Sequence, residues 1–187
     1  MLTSIRDYVA SEILPRKRKV VFGSDVLMAV TAAVLIGSYG SDTPLRSLIA
    51  GDFVGTFLAY GAIAMGFCLG GMTLVLTIPN ERFTSLLAKA KTDQGNGPSA
   101  YSDLLFVFSW TAIWHWIAIC VGLVAAIALG WTSAILPMNA SVTHKVVVGV
   151  VAFAMIYSLA EFLVTLITLS QVGRQYITHI LERGPSD

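Results

Sequence analysis

Long apolar stretches separated by short polar segments dominate the chain. Four such runs cover residues 20–39, 53–80, 104–144 and 146–173. The acidic, basic and histidine residues within them are Asp25, His115, His144 and Glu161. Each run reaches the roughly 20 residues that cross about 30 Å of hydrocarbon as an α-helix. The pattern therefore predicts four transmembrane helices, near 18–39, 53–79, 104–130 and 146–172.

Lysine and arginine are unevenly distributed among the segments that join these runs. Of the 12 basic residues, all but Arg46 and Lys145 lie before the first run, between the second and third, or after the fourth. Basic residues concentrate on the cytoplasmic side of membrane proteins. We therefore predict an all-α integral membrane protein with both termini and the 80–103 loop in the cytoplasm. Its expected location is the bacterial cytoplasmic (inner) membrane.

Three cytoplasmic segments accompany a transmembrane domain at 20–172. They are an amphipathic and polybasic segment at 1–19, the loop 80–103 and a tail at 173–187. Each contains apolar residues at helical spacing, which predicts short amphipathic helices. They would lie on lipid or pack together into a small platform. The first segment ends in four consecutive basic residues, which either bind the anionic inner leaflet or only orient the first span. These are Arg16, Lys17, Arg18 and Lys19.

The composition and the motifs of the sequence argue against several classes of function. The chain is 56% hydrophobic and 12% charged, with a mean hydropathy of +0.75, and no soluble domain fits outside the spans. Cys68 and Cys120 stand alone in different runs, which argues against a thiol oxidoreductase. No HExxH, GxSxG or phosphate-loop motif is present, and the basic segments lie close to the membrane. We therefore expect no enzymatic activity, no cofactor or metal, and no nucleic-acid partner.

Small residues recur at four-residue steps in the second and third spans. In lipid, close backbone packing replaces the hydrophobic force between helices, and small residues permit it. The predicted helix-packing positions are Gly51, Gly55, Ala62, Gly66 and Gly70 in the second span, and Gly122, Ala126 and Gly130 in the third. These contacts lie within one chain or between copies. We predict a homo-oligomer, because four spans alone form a thin bundle.

Glu161 lies near the middle of the fourth span. A charge at the centre of a transmembrane helix costs about 2.5–3.5 kcal/mol on insertion scales, so this side chain should face protein or water. Polar residues on the same helix face extend from mid-membrane towards the cytoplasm. They are Tyr157, Ser158, Thr165 and Thr168. Such a stripe lines a pathway or forms hydrogen bonds between helices.

His115 has the same predicted depth as Glu161. Each lies roughly 3 Å to the cytoplasmic side of the centre of its span, counted at 1.5 Å per residue. Thr111 and Gly122 share the face of His115, while Trp114 and Trp116 flank it as walls. We therefore predict a His115–Glu161 interaction, within one chain or across an oligomer interface. Burial favours the neutral form of each group and a close ion pair favours the charged forms, which is the balance that a proton relay or pH gate uses. The alternative is a pair that only fixes helix register.

Two functions follow from these patterns. The first is a small homo-oligomeric channel or transport protein for ions or protons, gated or relayed by Glu161 and His115. The second is a non-conducting anchor or sensor that recruits a cytosolic partner or belongs to a larger membrane complex. Asp25 pairs with a cytoplasmic base near the headgroups, or forms the cytoplasmic exit of a cation pathway.

Overall fold

The protein folds into α-helices throughout the part of the chain that the computed structural model describes, residues 23–39, 53–77, 81–90, 98–129 and 142–181. No strand occurs in these ranges. The helices are α1 (Ser24–Tyr39), α2 (Phe53–Leu76), α3 (Glu81–Lys89), α4 (Ala100–Leu129) and α5 (Val142–Leu181).

Three of these helices are long and apolar enough to cross a membrane. The qualifying stretches are Phe57–Leu76, Ala100–Val124 and Lys145–Thr178, and α1 contributes a shorter apolar stretch at Ser24–Ser38. An all-helical protein suited to a bilayer is therefore observed. Four complete spans and the location of the termini stay predictions.

The ends of α4 and α5 differ clearly from the predicted span limits. α4 begins at Ala100 rather than 104, and α5 begins at Val142 rather than 146 and continues to Leu181 rather than ending near 172. The predicted limits follow the loss of hydrophobicity, for example at Arg174. A charged side chain on an exposed helix face does not interrupt the main-chain hydrogen bonds, so the helix continues past it.

A seven-residue repeat organises the buried faces of the three long helices. Buried positions alternate in steps of four and three residues on α2 and α4, and partly or fully buried positions do so on α5. On α2 they are Phe57, Gly61, Ala64, Cys68, Gly71 and Val75; on α4, Leu104, Phe108, Thr111, His115, Ala118 and Gly122; on α5, Ala154, Ser158, Glu161, Thr165, Thr168 and Val172. An average step of 3.5 residues is the spacing of left-handed helix packing, which predominates in membrane bundles.

The chain divides into two compact units, and each contains part of α2, α4 and α5. One comprises Met1–Ala62 and Trp114–Ala160, here called the His115 unit. The other comprises Ile63–Ile113 and Glu161–Asp187, here called the Glu161 unit. In the His115 unit the buried core consists of Phe57, Ala118, Ala154 and Met155. In the Glu161 unit it consists of Cys68, Val75, Leu104 and Phe108.

Within the His115 unit, α1 and α5 approach closely at small residues. A Cβ atom built on Gly37 would lie 3.0 Å from the main-chain oxygen of Lys145 and 3.5 Å from the Cα of Gly149. A Cβ atom built on Gly149 would lie 3.5 Å from the main-chain oxygen of Ala33. The absence of side chains at the two glycines therefore permits near-contact of the backbones.

Within the Glu161 unit, the short amphipathic helix α3 packs against the end of α5. Phe83 and Leu87 are buried. The ring of Phe83 meets that of Tyr176 edge-on, with centroids 4.9 Å apart. The N–H of Ala100 donates a hydrogen bond of 2.8 Å to the carbonyl of Ala90, which joins the end of α3 to the start of α4. α3 and the end of α5 therefore pack together, and attachment of these segments to lipid stays a prediction. Segment 1–19 lies outside the described residues.

Candidate polar sites within the helices

Five polar or charged residues are buried among the described residues, all within α4 and α5. They are Thr111, His115, Ser158, Glu161 and Thr165. All five belong to the polar set that the sequence predicts. Glu161 is 7% exposed and the other four are fully enclosed. Because burial of an unsatisfied polar group is costly, the partners of these side chains determine what each can do.

His115 has a tyrosine as a neighbour in its own unit. The Nε2 atom of His115 lies 3.4 Å from the phenolic oxygen of Tyr60, and the two ring centroids are 5.7 Å apart. Either group can donate, because a neutral imidazole carries one donor and one acceptor and the phenol carries both. At 3.4 Å this hydrogen bond is long and therefore weak.

Aromatic side chains surround the next turns of α4 and α5 in the His115 unit. Trp114 meets Tyr157 edge-on at a centroid distance of 4.5 Å, and Tyr157 stacks on Phe153 at 5.7 Å. Trp116 is 59% exposed. Trp114 therefore forms a wall of the aromatic cluster, whereas Trp116 points outward and is not the second wall that the sequence predicts. The hydroxyl of Ser158 donates to the carbonyl of Met155 at 2.8 Å, within its own helix.

A pair of threonines connects α4 to α5 in the Glu161 unit. The hydroxyl oxygens of Thr111 and Thr165 are 2.7 Å apart. The Thr165 hydroxyl also donates to the main-chain oxygen of Glu161 at 2.9 Å, and the Thr111 hydroxyl lies 3.2 Å from the same oxygen. Each hydroxyl has one proton, so one threonine donates to the other while the second donates to the Glu161 carbonyl. The contacts of Thr111 with the Thr165 hydroxyl and with the Glu161 carbonyl connect α4 to α5, whereas the bond from Thr165 to that carbonyl lies within α5.

The remaining predicted polar residues are less enclosed. Thr168 is partly buried, and its hydroxyl donates to the carbonyl of Val164 at 2.8 Å. Asp25 lies in the first turn of α1 and is also partly buried. Glu161 and His115 belong to different compact units, and their pairing stays a prediction.

The predicted small-residue positions face in different directions. Ala62, Gly66 and Gly70 are exposed, and a Cβ atom on Gly66 or Gly70 would have no other atom within 4 Å. Gly122 is buried, and a Cβ atom built on it would lie 3.9 Å from the terminal methyl of Met155. Gly55 and Ala126 belong to α2 and α4, whereas Gly51, Gly130 and the basic cluster Arg16, Lys17, Arg18 and Lys19 lie outside the described residues.

On α2, the glycines that pack inside the chain are neighbours of the predicted small residues. A Cβ atom on Gly71 would overlap the ring of Phe108, and one on Gly61 would lie 3.0 Å from Ile119. A repeated step of four residues rotates by about 40° per step around a helix of 3.6 residues per turn, so it leaves the buried face. Alternating steps of three and four follow that face, and this signal would have selected Gly61 and Gly71.

Sequence reasoning also missed Tyr60. The prediction considered charged partners for His115 at matching depth on the neighbouring span, and a phenol on α2 has no charge. The available signal is the seven-residue repeat, which places Tyr60 beside Gly61 at the edge of the buried face of α2.

No protein-family model matches the chain, and no curated protein or solved structure is significantly similar to it. The proposed function consequently rests on the geometry described above.

Proposed function

We propose that this protein is a small homo-oligomeric membrane channel or transport protein for ions or protons, with Glu161 and His115 as its titratable elements. The observation that carries the proposal is the burial of a carboxyl group and an imidazole within helices apolar enough to cross a membrane. Ionisable side chains at such depth are expensive to insert and mark ion or proton pathways more often than purely structural positions.

The two groups have complementary chemistry in this proposal. Histidine exchanges its proton near neutral pH, and its neutral ring carries a donor and an acceptor on opposite sides. Tyr60 serves as a positioning residue, because its hydroxyl lies 3.4 Å from Nε2 and orients the ring. Glu161 supplies the second exchangeable proton. For protons the pair acts as a relay, and for other cations it acts as a gate.

The proposed membrane arrangement has four spans, with both termini and the 80–103 loop in the cytoplasm of a bacterium and the protein in the inner membrane. The distribution of basic residues supports this orientation. α5 is 40 residues long, or about 60 Å, which exceeds the roughly 30 Å of the hydrocarbon core. Its far end therefore projects beyond the bilayer on the side of α3, near anionic headgroups that the cluster at 16–19 binds.

Open space at Gly66 and Gly70 supports assembly from several copies. Both glycines are exposed within the chain, and their missing side chains leave room for close approach of another helix. Oligomerisation would give the conducting pathway protein walls on all sides, which a single thin bundle lacks.

The test is flux measured in liposomes with the purified protein. Glu161→Gln removes the titratable proton while keeping size and hydrogen-bonding atoms, and His115→Gln does the same for the imidazole. Thr73→Val is the matched control, because Thr73 is exposed and its hydroxyl bonds only within its own helix, to the carbonyl of Leu69 at 3.0 Å. A pH-sensitive dye inside the liposomes reports protons, and a potassium-selective dye reports cations.

We expect Glu161→Gln to reduce flux at least tenfold, with the oligomer mass unchanged, and Thr73→Val to conduct like the wild type. A double variant of Glu161 and His115 no worse than either single variant would support action of the two groups in one pathway. Equal flux in wild type and Glu161→Gln, or no flux in either, would refute the proposal.

A second function is favoured by the contact of Phe83 with Tyr176. This packing gives α3 and the end of α5 a defined joint surface, which a non-conducting anchor or sensor needs to recruit a cytosolic partner or to join a larger membrane complex. If so, Phe83→Ala abolishes co-purification of that partner from membranes, while Glu161→Gln leaves it intact. The reverse pattern excludes this function.

A further inference from the structure

An open groove lies between α1 and α5 within the His115 unit. Its volume is about 410 Å³, within the range of about 300–1,000 Å³ typical of small-molecule sites. Gly37 and Gly149, where the two backbones come together, belong to its lining. Larger side chains at these two positions would fill the space beside the contact. The groove is present because both residues are glycines.

The walls of the groove are apolar. Five of the eleven lining residues are valines, among them Val30, Val34, Val146 and Val150, all of them exposed. Along α1 the lining extends from Val30 to Ser38, a rise of eight residue steps or about 12 Å. This length is close to half of a hydrocarbon core of about 30 Å. The apolar part of the groove therefore matches one acyl chain in one leaflet.

Polar groups occur at one end of the groove only. Ser38 lies one residue before the end of α1, and Lys145 lies in the first turn of α5. That turn contains no acidic residue. In the proposed four-span arrangement, on which this step rests, this end of the groove lies at the membrane surface opposite the cytoplasm, where lipid headgroups are. An ammonium group and a hydroxyl at the mouth of an apolar groove complement a phosphate headgroup joined to an acyl chain.

We propose that this groove binds one phospholipid, with an acyl chain along α1 and α5 and the headgroup phosphate paired with Lys145. The site is separate from the polar residues assigned to conduction. Anionic lipids bind more tightly than zwitterionic ones, because their net charge adds to the attraction by Lys145. One basic side chain near a membrane surface changes affinity for anionic lipid by about fivefold.

The experiment is native mass spectrometry of the delipidated full-length protein in detergent, titrated with dioleoyl phosphatidylglycerol or dioleoyl phosphatidylcholine. Val150→Trp fills the groove. Val164→Trp is its matched control, since both valines are exposed on α5, at 52% and 40%, and only Val150 lines the groove. Lys145→Gln removes the charge and Lys145→Arg keeps it. The melting temperature of each variant checks that it is folded.

Detergent washing removes weakly bound lipids. After it, we expect the wild type, Val164→Trp and Lys145→Arg each to retain one phosphatidylglycerol per chain. Val150→Trp loses this one lipid, and Lys145→Gln binds it about fivefold more weakly. Equal retention by Val150→Trp and Val164→Trp would overturn the proposal, because it would assign the lipid to the general annulus or to the basic segment at 16–19. A lipid-free dimer of the wild type that Val150→Trp dissociates would also overturn it, since a second copy would then occupy the groove.

Discussion

The Glu161 unit and the His115 unit bury polar groups in different ways. In the former, the hydroxyls of Thr111 and Thr165 bond to each other at 2.7 Å and to a main-chain carbonyl. In the latter, the phenolic oxygen of Tyr60 lies 3.4 Å from Nε2 of the His115 imidazole. The short threonine contact connects two helices, whereas the contact between imidazole and phenol is long. A buried polar residue is therefore informative about function only once its partners are known.

Glycine packing does not divide the two units in this way. In the Glu161 unit the ring of Phe108 lies directly over Gly71, with no room for even one added carbon, whereas a Cβ atom on Gly70 would meet open space. In the His115 unit a Cβ atom on Gly61 would lie 3.0 Å from Ile119, and one on Gly122 would lie 3.9 Å from the terminal methyl of Met155. Each unit therefore contains a tightly packed glycine and a looser one, and the polar partners distinguish the units better than glycine packing does.

The largest expected effect is that of Gly71→Val. The added Cβ would lie 2.7 Å from Cζ of Phe108, so the ring must move, and overpacking of this kind costs about 1–3 kcal/mol or more. Gly173→Val, on the exposed side of α5, adds the same atoms to open space and should leave the free energy of unfolding nearly unchanged. Thermal unfolding followed by circular dichroism in detergent measures both. Equal destabilisation by the two variants would contradict the tight contact assigned to Gly71.

The threonine pair provides the next largest effect. A double-mutant cycle of Thr111→Val and Thr165→Val should give a coupling of about 0.6–1.7 kcal/mol, as measured for hydrogen bonds within membrane proteins. The cycle of Thr73→Val with Thr165→Val is the control and should give none, because the Thr73 hydroxyl bonds within its own helix. Coupling absent from the first cycle would mean that the threonine bonds do not set the register.

Tyr60→Phe should change stability by less than about 0.5 kcal/mol, because the bond to His115 is long. Its effect should instead appear in the ¹⁵N chemical shift of the His115 ring, since the hydrogen bond at Nε2 is lost. Tyr176→Phe keeps the edge-on ring contact with Phe83 and serves as the control. An unchanged His115 spectrum in Tyr60→Phe would show that the phenol does not orient the imidazole.

The smallest expected effect is that of Gly122→Ala. The free energy of unfolding should change by less than about 1 kcal/mol, because the added methyl makes an ordinary contact with Met155 and alanine favours the helix. Gly61→Ala, in the same unit, must displace Ile119, whose Cγ1 atom would lie 3.0 Å away, and should be clearly less stable. Chemical denaturation of both variants ranks them. A more destabilised Gly122→Ala would contradict the looser packing assigned to Gly122.

The helices were predictable from the sequence because hydrophobicity determines which segments lie in lipid. Their ends were less predictable, since α5 runs past Arg174 on main-chain hydrogen bonds that hydropathy does not describe. Glu161 and His115 could be selected as candidates because an ionisable side chain is costly to bury in a membrane and is therefore rarely present without a function. Their partners could not, because which residue of α2 meets His115 depends on the rotation of each helix about its axis. Depth counting fixes position along the membrane normal and leaves that rotation undetermined.

The contact between Phe83 and Tyr176 gives the folded chain a discontinuous epitope. Residues more than ninety positions apart in the sequence form a single surface from α3 and the end of α5. An antibody fragment selected against this surface would recognise the folded chain but neither peptide alone. Such a fragment would therefore serve as a conformation-specific handle, adding mass to a small membrane protein without touching the polar residues of α4 and α5.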